Sequence, residues 1–273
     1  ALCLLRDYGF VCIEGVPVTE AATEAACRRI SFLRETLYGP GMWRTEAKAD
    51  GGNDTAYTTI PLGSHTDGNY FADSPGIQTF HCLVQDPHGG DTVLVDLAHV
   101  AERMRATHPT AFDFLTRFPV TYHHTDPEHM LVQSKVPFTL DARGDLVAGH
   151  FNNNDRSPVR PVPAAIPATS TAATTAATIT ASSLSAPSTI PAFYKHWAVL
   201  QSMIRDPEAE VWMKLAPGTL LVFDNTRVTH GRSGLTPGTA RVLCGAYIGQ
   251  EDWHSKLRAV AQQLGVYRPA THL

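Results

Sequence analysis

Apolar positions at Ala22, Ala26, Ile30, Leu33 and Leu37 recur every three to four residues behind Thr19, a good N-cap, and predict a helix ending at Gly39. Farther on the period shortens. Residues 77–84 and 92–95 are strand-like, and Pro87-His88-Gly89-Gly90 between them predicts a hairpin. Asp96 caps a second helical pattern that Pro109 interrupts, and residues 118–123 return to strand character. Residues 136–140 and 146–151 flank Asp141-Ala142-Arg143-Gly144, whose turn chemistry predicts another hairpin. Pro191 opens a helix through Trp197, Leu200 and Ile204, followed by strand patterns at 211–215, 219–223 and 241–248. Many short strands, few helices and Gly/Pro turns predict a mainly β fold with flanking helices, a cupin-like jelly roll.

One stretch departs from this pattern. Residues 161–190 are almost entirely Ala, Thr, Ser, Pro and Ile, with no charge after Arg160. Such side chains bury too little to offset ordering entropy, so a disordered low-complexity insertion is expected. The remainder of 1–273 is expected to form a single catalytic domain. The chain starts at Ala1 within an apparent element, so an upstream part is expected to be missing.

Composition narrows the function. The net charge is −4 and Lys and Arg are scattered, which argues against nucleic acid or an anionic membrane as partner and favours small-molecule chemistry. No apolar run approaches a membrane span, and the opening residues 1–13 lack a basic leader, so a soluble chain is expected. Five widely spaced cysteines without a C-x-x-C pair argue against a disulfide framework or structural zinc, and for a reducing compartment.

His65-Thr66-Asp67 offers an imidazole and a carboxylate two residues apart, half of the 2-His-1-carboxylate triad that holds Fe(II) with positions left open. Thirteen histidines and 26 acidic residues produce about one H-x-[DE] by chance, and a second stands at His124-Thr125-Asp126. The distal half decides between them. Phe223-Asp224-Asn225 ends a strand, His230-Gly231-Arg232 follows in an expected loop, and Arg241 comes eleven residues after His230. A distal His completes such a triad, and an Arg on the next strand pairs with the far carboxylate of 2-oxoglutarate. Arg241 within an apolar strand needs a buried anion in any case. His65 also precedes the 77–95 segment, whereas His124 follows it and is trailed by Pro127, so His65, Asp67 and His230 are the expected ligands and His124 is assigned a structural or substrate-loop role.

These motifs, with Asp54-Thr55-Ala56-Tyr57-Thr58 and Gly76-Ile77-Gln78-Thr79-Phe80-His81-Cys82-Leu83, resemble the trimethyllysine dioxygenase and gamma-butyrobetaine hydroxylase family of Fe(II)/2-oxoglutarate oxygenases. The likeness spans about residues 5–255 apart from the insertion. It implies a double-stranded β-helix, a role in carnitine biosynthesis, Fe(II), 2-oxoglutarate as cosubstrate, O2, and ascorbate as reductant. The small N-terminal domain usual in the family is not seen in this chain. Family substrates carry a quaternary ammonium, which donates no hydrogen bond and is recognised by aromatic faces. Tyr38, Trp43, Tyr57 and Tyr247 stand at positions resembling the aromatic cage, and Asp54 would add negative charge beside it. By the same resemblance Asn153 would bind the amino-acid or carboxylate end of the substrate, and Thr92 would offer a hydroxyl to 2-oxoglutarate.

Hydroxylation of trimethyllysine at C3 is the favoured expectation, because its extra ammonium suits Asp54 and because the D-T-A-Y-T, F-H-C-L and Leu243-Cys244-Gly245 runs resemble that branch. Val132-Gln133-Ser134-Lys135 resembles the gamma-butyrobetaine branch, which is the alternative. A non-catalytic cupin that captures trimethylated amines is a further reading, and protein-bound trimethyllysine a further substrate. The setting is expected to be mitochondrial or cytoplasmic, with resemblance favouring mitochondrial, and a homodimer is a further expectation.

Overall fold

In the computed structural model, which describes residues 1–46, 58–159, 186–236 and 238–266, the short apolar runs form two antiparallel sheets with helices packed outside them. In chain order the elements are α1 (Leu2–Tyr8), β1 (Phe10–Ile13), α2 (Glu20–Arg28), β2 (Met42–Glu46), β3 (Leu62–His65), β4 (Ile77–Val84) and β5 (Thr92–Asp96). Next come α3 (Leu97–Thr107), α4 (Pro109–Leu115), β6 (Val120–Thr125), β7 (Met130–Lys135), β8 (Phe138–Leu140) and β9 (Leu146–Gly149). The chain closes with α5 (Ala186–Ile204), β10 (Val211–Met213), β11 (Leu220–Asp224), β12 (Val228–Arg232), β13 (Val242–Ile248) and α6 (Gln250–Gln263).

The larger sheet has the order β1-β11-β4-β13-β2 and the smaller β10-β5-β12-β3, while β6-β7 and β8-β9 form separate hairpins. Period-two alternation explains how the layers hold together. In β11, Leu221 and Phe223 face the cluster shared with Leu94 of β5 and Val228 of β12, the core between the sheets. Leu220 and Val222 point the other way and pack with Leu5 of α1, Cys27 of α2 and Trp253 of α6. A third core joins α3, α4 and α5 around Met104, Phe112, Phe193 and Trp197. The fold is the jelly roll that the strand pattern predicts.

Several expected details are corrected. The 77–95 hairpin does not form, since β4 pairs with β11 and β13 while β5 pairs with β10 and β12, so the intervening turn carries the chain from one sheet to the other. The first helix stops at Arg28, well before Gly39, because the chain turns toward the large sheet and the Arg34 amide donates to the Tyr247 carbonyl at 2.8 Å. Ile30 and Leu33 still pack against the same cluster from irregular backbone. His230 lies in strand β12, not in a loop, and Arg241 directly precedes β13. Helix α5 begins before Pro191, which is held inside it. Residues 160–185, with most of the expected insertion, and residues 47–57, with Asp54 and Tyr57, lie outside the described residues.

Candidate active site

His65 ends β3, and the register of β3 on β12 sets it directly opposite His230. Their rings lie 4.3 Å apart between centroids. Asp67 follows in the turn after β3, where Asn225 fixes it from both sides: the Asp67 amide donates to Asn225 Oδ1 at 2.8 Å and Asn225 Nδ2 donates to the Asp67 carbonyl at 3.0 Å. Asp67 Oδ1 stands 3.2 Å from His65 Nε2 and 3.8 Å from His230 Nε2. One ligand atom from each of the three residues falls within 4.8 Å of the others.

The electrostatics suit a divalent cation. Burial opposes charge on Asp67, but the His230 and His65 imidazoles and the Tyr247 hydroxyl hold its carboxyl well below the usual range. Burial, then the neighbouring His65, pushes His230 down to about 3, leaving the neutral imidazole a metal requires. The rings of Phe80 and Phe223, 5.1 and 5.0 Å from that of His230, supply the apolar surroundings. His65 Nδ1 donates to the Gly63 carbonyl at 2.8 Å, which frees Nε2 as an acceptor. His230 Nδ1 is buried with no hydrogen-bond partner, an expense explained by a task for the other nitrogen of the ring. Two imidazoles, one of them held neutral by burial, and one ionised carboxylate fit the donor set of Fe(II) with open positions.

The same cavity is lined by Arg241, Thr92, Tyr38, Trp43 and Tyr247. Arg241 is buried, donates to Gln85 Oε1 at 3.2 Å and to Thr92 Oγ1 at 3.5 Å, and burial pulls its guanidinium below the ordinary value. Room for it depends on Gly90, whose φ is +71° and where an added Cβ would stand 2.7 Å from Arg241 Cδ. The Tyr247 ring lies 6.3 Å from Tyr38 and 6.2 Å from Trp43, so three aromatic faces border one space. The hydroxyl of Tyr247 donates to Asp67 Oδ2 at 2.8 Å, and that of Tyr38 meets the hydroxyl of Tyr70.

Asn153 is turned elsewhere. Its Oδ1 accepts from Trp197 Nε1 at 2.8 Å and its Nδ2 donates to Gln201 Oε1 at 3.3 Å, which ties it to α5, while Asn152, Asn154 and Asp155 line the cavity. The second H-x-D motif closes on itself: His124 Nε2 lies 3.1 Å from Asp126 Oδ2, and Asp126 Oδ1 accepts the amides of Glu128 and His129. Sequence reasoning missed Tyr70, Gln78, Asp155 and Arg232 in the lining. For Gln78 a signal existed, a lone amide side chain in a strand otherwise rich in apolar residues.

The model for the taurine catabolism dioxygenase TauD, TfdA family matches residues 3–247. The chain is 38% identical over 259 residues to a trimethyllysine dioxygenase of Meyerozyma guilliermondii, covering 93% of this chain and 58% of that protein. It is 33% identical over 261 residues to human mitochondrial trimethyllysine dioxygenase, covering 94% and 56%, and 29% identical over 268 residues to human gamma-butyrobetaine dioxygenase, covering 96% and 63%. It thus spans little more than half the length of these curated relatives. Among solved structures, an asparagine oxygenase in complex with Fe(II), 3-hydroxyasparagine and succinate superposes with a TM-score of 0.66 at 16% identity, over 91% of this chain and 78% of that one, a likeness of fold.

Proposed function

The chain belongs to the TauD/TfdA dioxygenase family, and from that premise we propose that it hydroxylates trimethyllysine at C3, using Fe(II) and 2-oxoglutarate. The observation that carries this reading is the triad of ligand atoms within 4.8 Å, bordered by the rings of Tyr38, Trp43 and Tyr247. His65, Asp67 and His230 would hold the metal. Arg241, with the Thr92 hydroxyl beside it, would pair with the distal carboxylate of 2-oxoglutarate in a buried setting where a charge-assisted bond is strong. When bound, the iron with its cosubstrate supplies O2 activation, with succinate and CO2 as coproducts.

The protein's part is positioning and exclusion of water. Three ring faces suit a cation that cannot donate hydrogen bonds. Phe80 and Phe223 keep the surroundings of His230 apolar. Trimethyllysine is favoured over gamma-butyrobetaine by the higher identity to dioxygenases named for it and by Asp155, a cavity carboxylate in addition to Asp67 that would complement the amino-acid ammonium. We read the described residues as one catalytic domain. The mammalian relatives are named mitochondrial, which supports a mitochondrial setting in carnitine biosynthesis. Among the described residues, no helix is long and apolar enough to cross a membrane.

The test is product mass after anaerobic loading with Fe(II), ascorbate and 2-oxoglutarate, then air, with trimethyllysine and gamma-butyrobetaine in parallel. One added oxygen on trimethyllysine, absent in His230→Ala, is expected. Oxidation of gamma-butyrobetaine alone would overturn the substrate, and tight ligand binding without turnover in either case would overturn catalysis.

A further inference from the structure

The two oxygens of Asp67 live in different surroundings. Oδ1 faces the imidazoles of His65 and His230, at 3.2 and 3.8 Å from their Nε2 atoms. Oδ2 is turned to the large sheet, where it accepts from Gln78 Nε2 at 2.6 Å and from the Tyr247 hydroxyl at 2.8 Å. Gln78 and Tyr247 are direct partners across the β4–β13 register, so backbone pairing sets the spacing of the two donors. We propose that Gln78 is a positioning residue of the metal centre: with the Tyr247 hydroxyl it occupies Asp67 Oδ2, so that Asp67 binds the metal through Oδ1 alone. This rests on the reading of His65, Asp67 and His230 as metal ligands.

The orientation of the Gln78 amide follows from its neighbour. Turned over, it would set a carbonyl oxygen at 2.6 Å from a carboxylate oxygen, so Nε2 must face Asp67. Gln78 is only 2% exposed, and its Oε1 is left buried with no hydrogen-bond partner. A purely structural position in an apolar strand has no reason to keep an unpaired carbonyl, since an apolar side chain of the same shape would avoid its desolvation. A position that orients a ligand does have one. With two donors on Oδ2, chelation through both oxygens would require breaking two buried hydrogen bonds, and the coordination positions it would occupy stay open for cosubstrate and O2.

Tyr247 then belongs to two structures at once, its hydroxyl on the ligand and its ring beside Tyr38 and Trp43. Gln78 also borders the cavity, but its side chain carries no ring of the three and bonds to the ligand. Gln78→Leu therefore removes a donor to Asp67 and leaves the three rings in place.

The experiment titrates Mn(II) into the whole chain in the presence of 2-oxoglutarate, by electron paramagnetic resonance, and records the visible spectrum with Co(II). Wild type, Gln78→Leu, Tyr247→Phe and Asp67→Ala are compared. Gln78→Leu should bind Mn(II) about tenfold more weakly and shift the Co(II) bands, with a cooperative metal-free melt showing that it is folded. A merely structural role would leave affinity and spectrum unmoved in the folded variant. Tyr247→Phe, which keeps the ring, should weaken Mn(II) in the same direction and serves as the second test if Gln78→Leu does not fold. Wild-type affinity and spectrum in a folded Gln78→Leu, or in Tyr247→Phe should the former not fold, would overturn the proposal with the metal centre intact. Metal binding by Asp67→Ala equal to wild type would sink the metal-centre reading and this proposal with it.

Discussion

Asp224 shows how one buried group ties stability to pH. Its Oδ1 accepts from the Thr226 amide at 2.9 Å and hydroxyl at 2.7 Å, yet burial outweighs these bonds and pushes the carboxyl up to about 6. The folded chain therefore holds this proton more tightly than the unfolded chain, whose carboxyl titrates near 4. That stabilisation is complete below about pH 4 and is lost as pH rises through 6. Asp224→Asn keeps the Oδ1 acceptor and removes the charge. It should be more stable than wild type by up to roughly 3 kcal/mol at pH 8, with the gap closing by pH 4, as read from urea denaturation at both values. Residues of the candidate site differ in how legible they are. His65, Asp67, His230 and Arg241 stand out in the sequence because their chemical types and order are informative by themselves. Gln78, Tyr70 and Asp155 matter through what they stand beside, and a sequence carries no distances.

At the scale of elements, local chemistry reveals where the chain turns but not which strand receives it. Pro87-His88-Gly89-Gly90 does end one strand and lead into another, but β4 is buried on both faces and takes β11 and β13 as neighbours, so β5 goes to the second sheet. Likewise, Val228–Arg232 holds a His, a Gly and an Arg and reads as a loop, yet β12 is buried throughout between β3 and β5. Burial of that strand is a tertiary fact. Close approach in the large sheet is most demanding at Gly245, where an added Cβ would meet the Thr79 carbonyl oxygen at 1.8 Å and Trp43 Cζ2 at 2.6 Å. Gly245→Ala should cost roughly 3 kcal/mol or more and displace the Trp43 indole, seen as a lower melting temperature and altered tryptophan fluorescence. Gly234→Ala, whose Cβ would find only ordinary contacts from 3.5 Å outward, should melt like wild type.

Across the whole molecule, the candidate site spans the two sheets. His65 and His230 belong to the smaller sheet, whereas Gln78, Trp43 and Tyr247 belong to the larger. A ligand held by both layers binds the folded chain and not the unfolded one, so it stabilises by mass action. Mn(II) with 2-oxoglutarate at a hundred times its dissociation constant should add about 2.7 kcal/mol, a rise of roughly 5–11 °C for a chain of this size. Thermal melts of wild type and Asp67→Ala, with and without the two ligands, check this, and the variant should show no rise.

The register that sets His65 against His230 also bears on how the protein is made. β3 is synthesised before β12, with β4 to β11 translated between them. Until both have left the ribosome and zipped together, the chain carries one imidazole and one carboxylate separated from their partner, an arrangement with little hold on iron. If the triad holds iron as proposed, a copy that has not yet made β12 lacks one of the three ligands, and completion of the site waits on the pairing of two strands far apart in the chain.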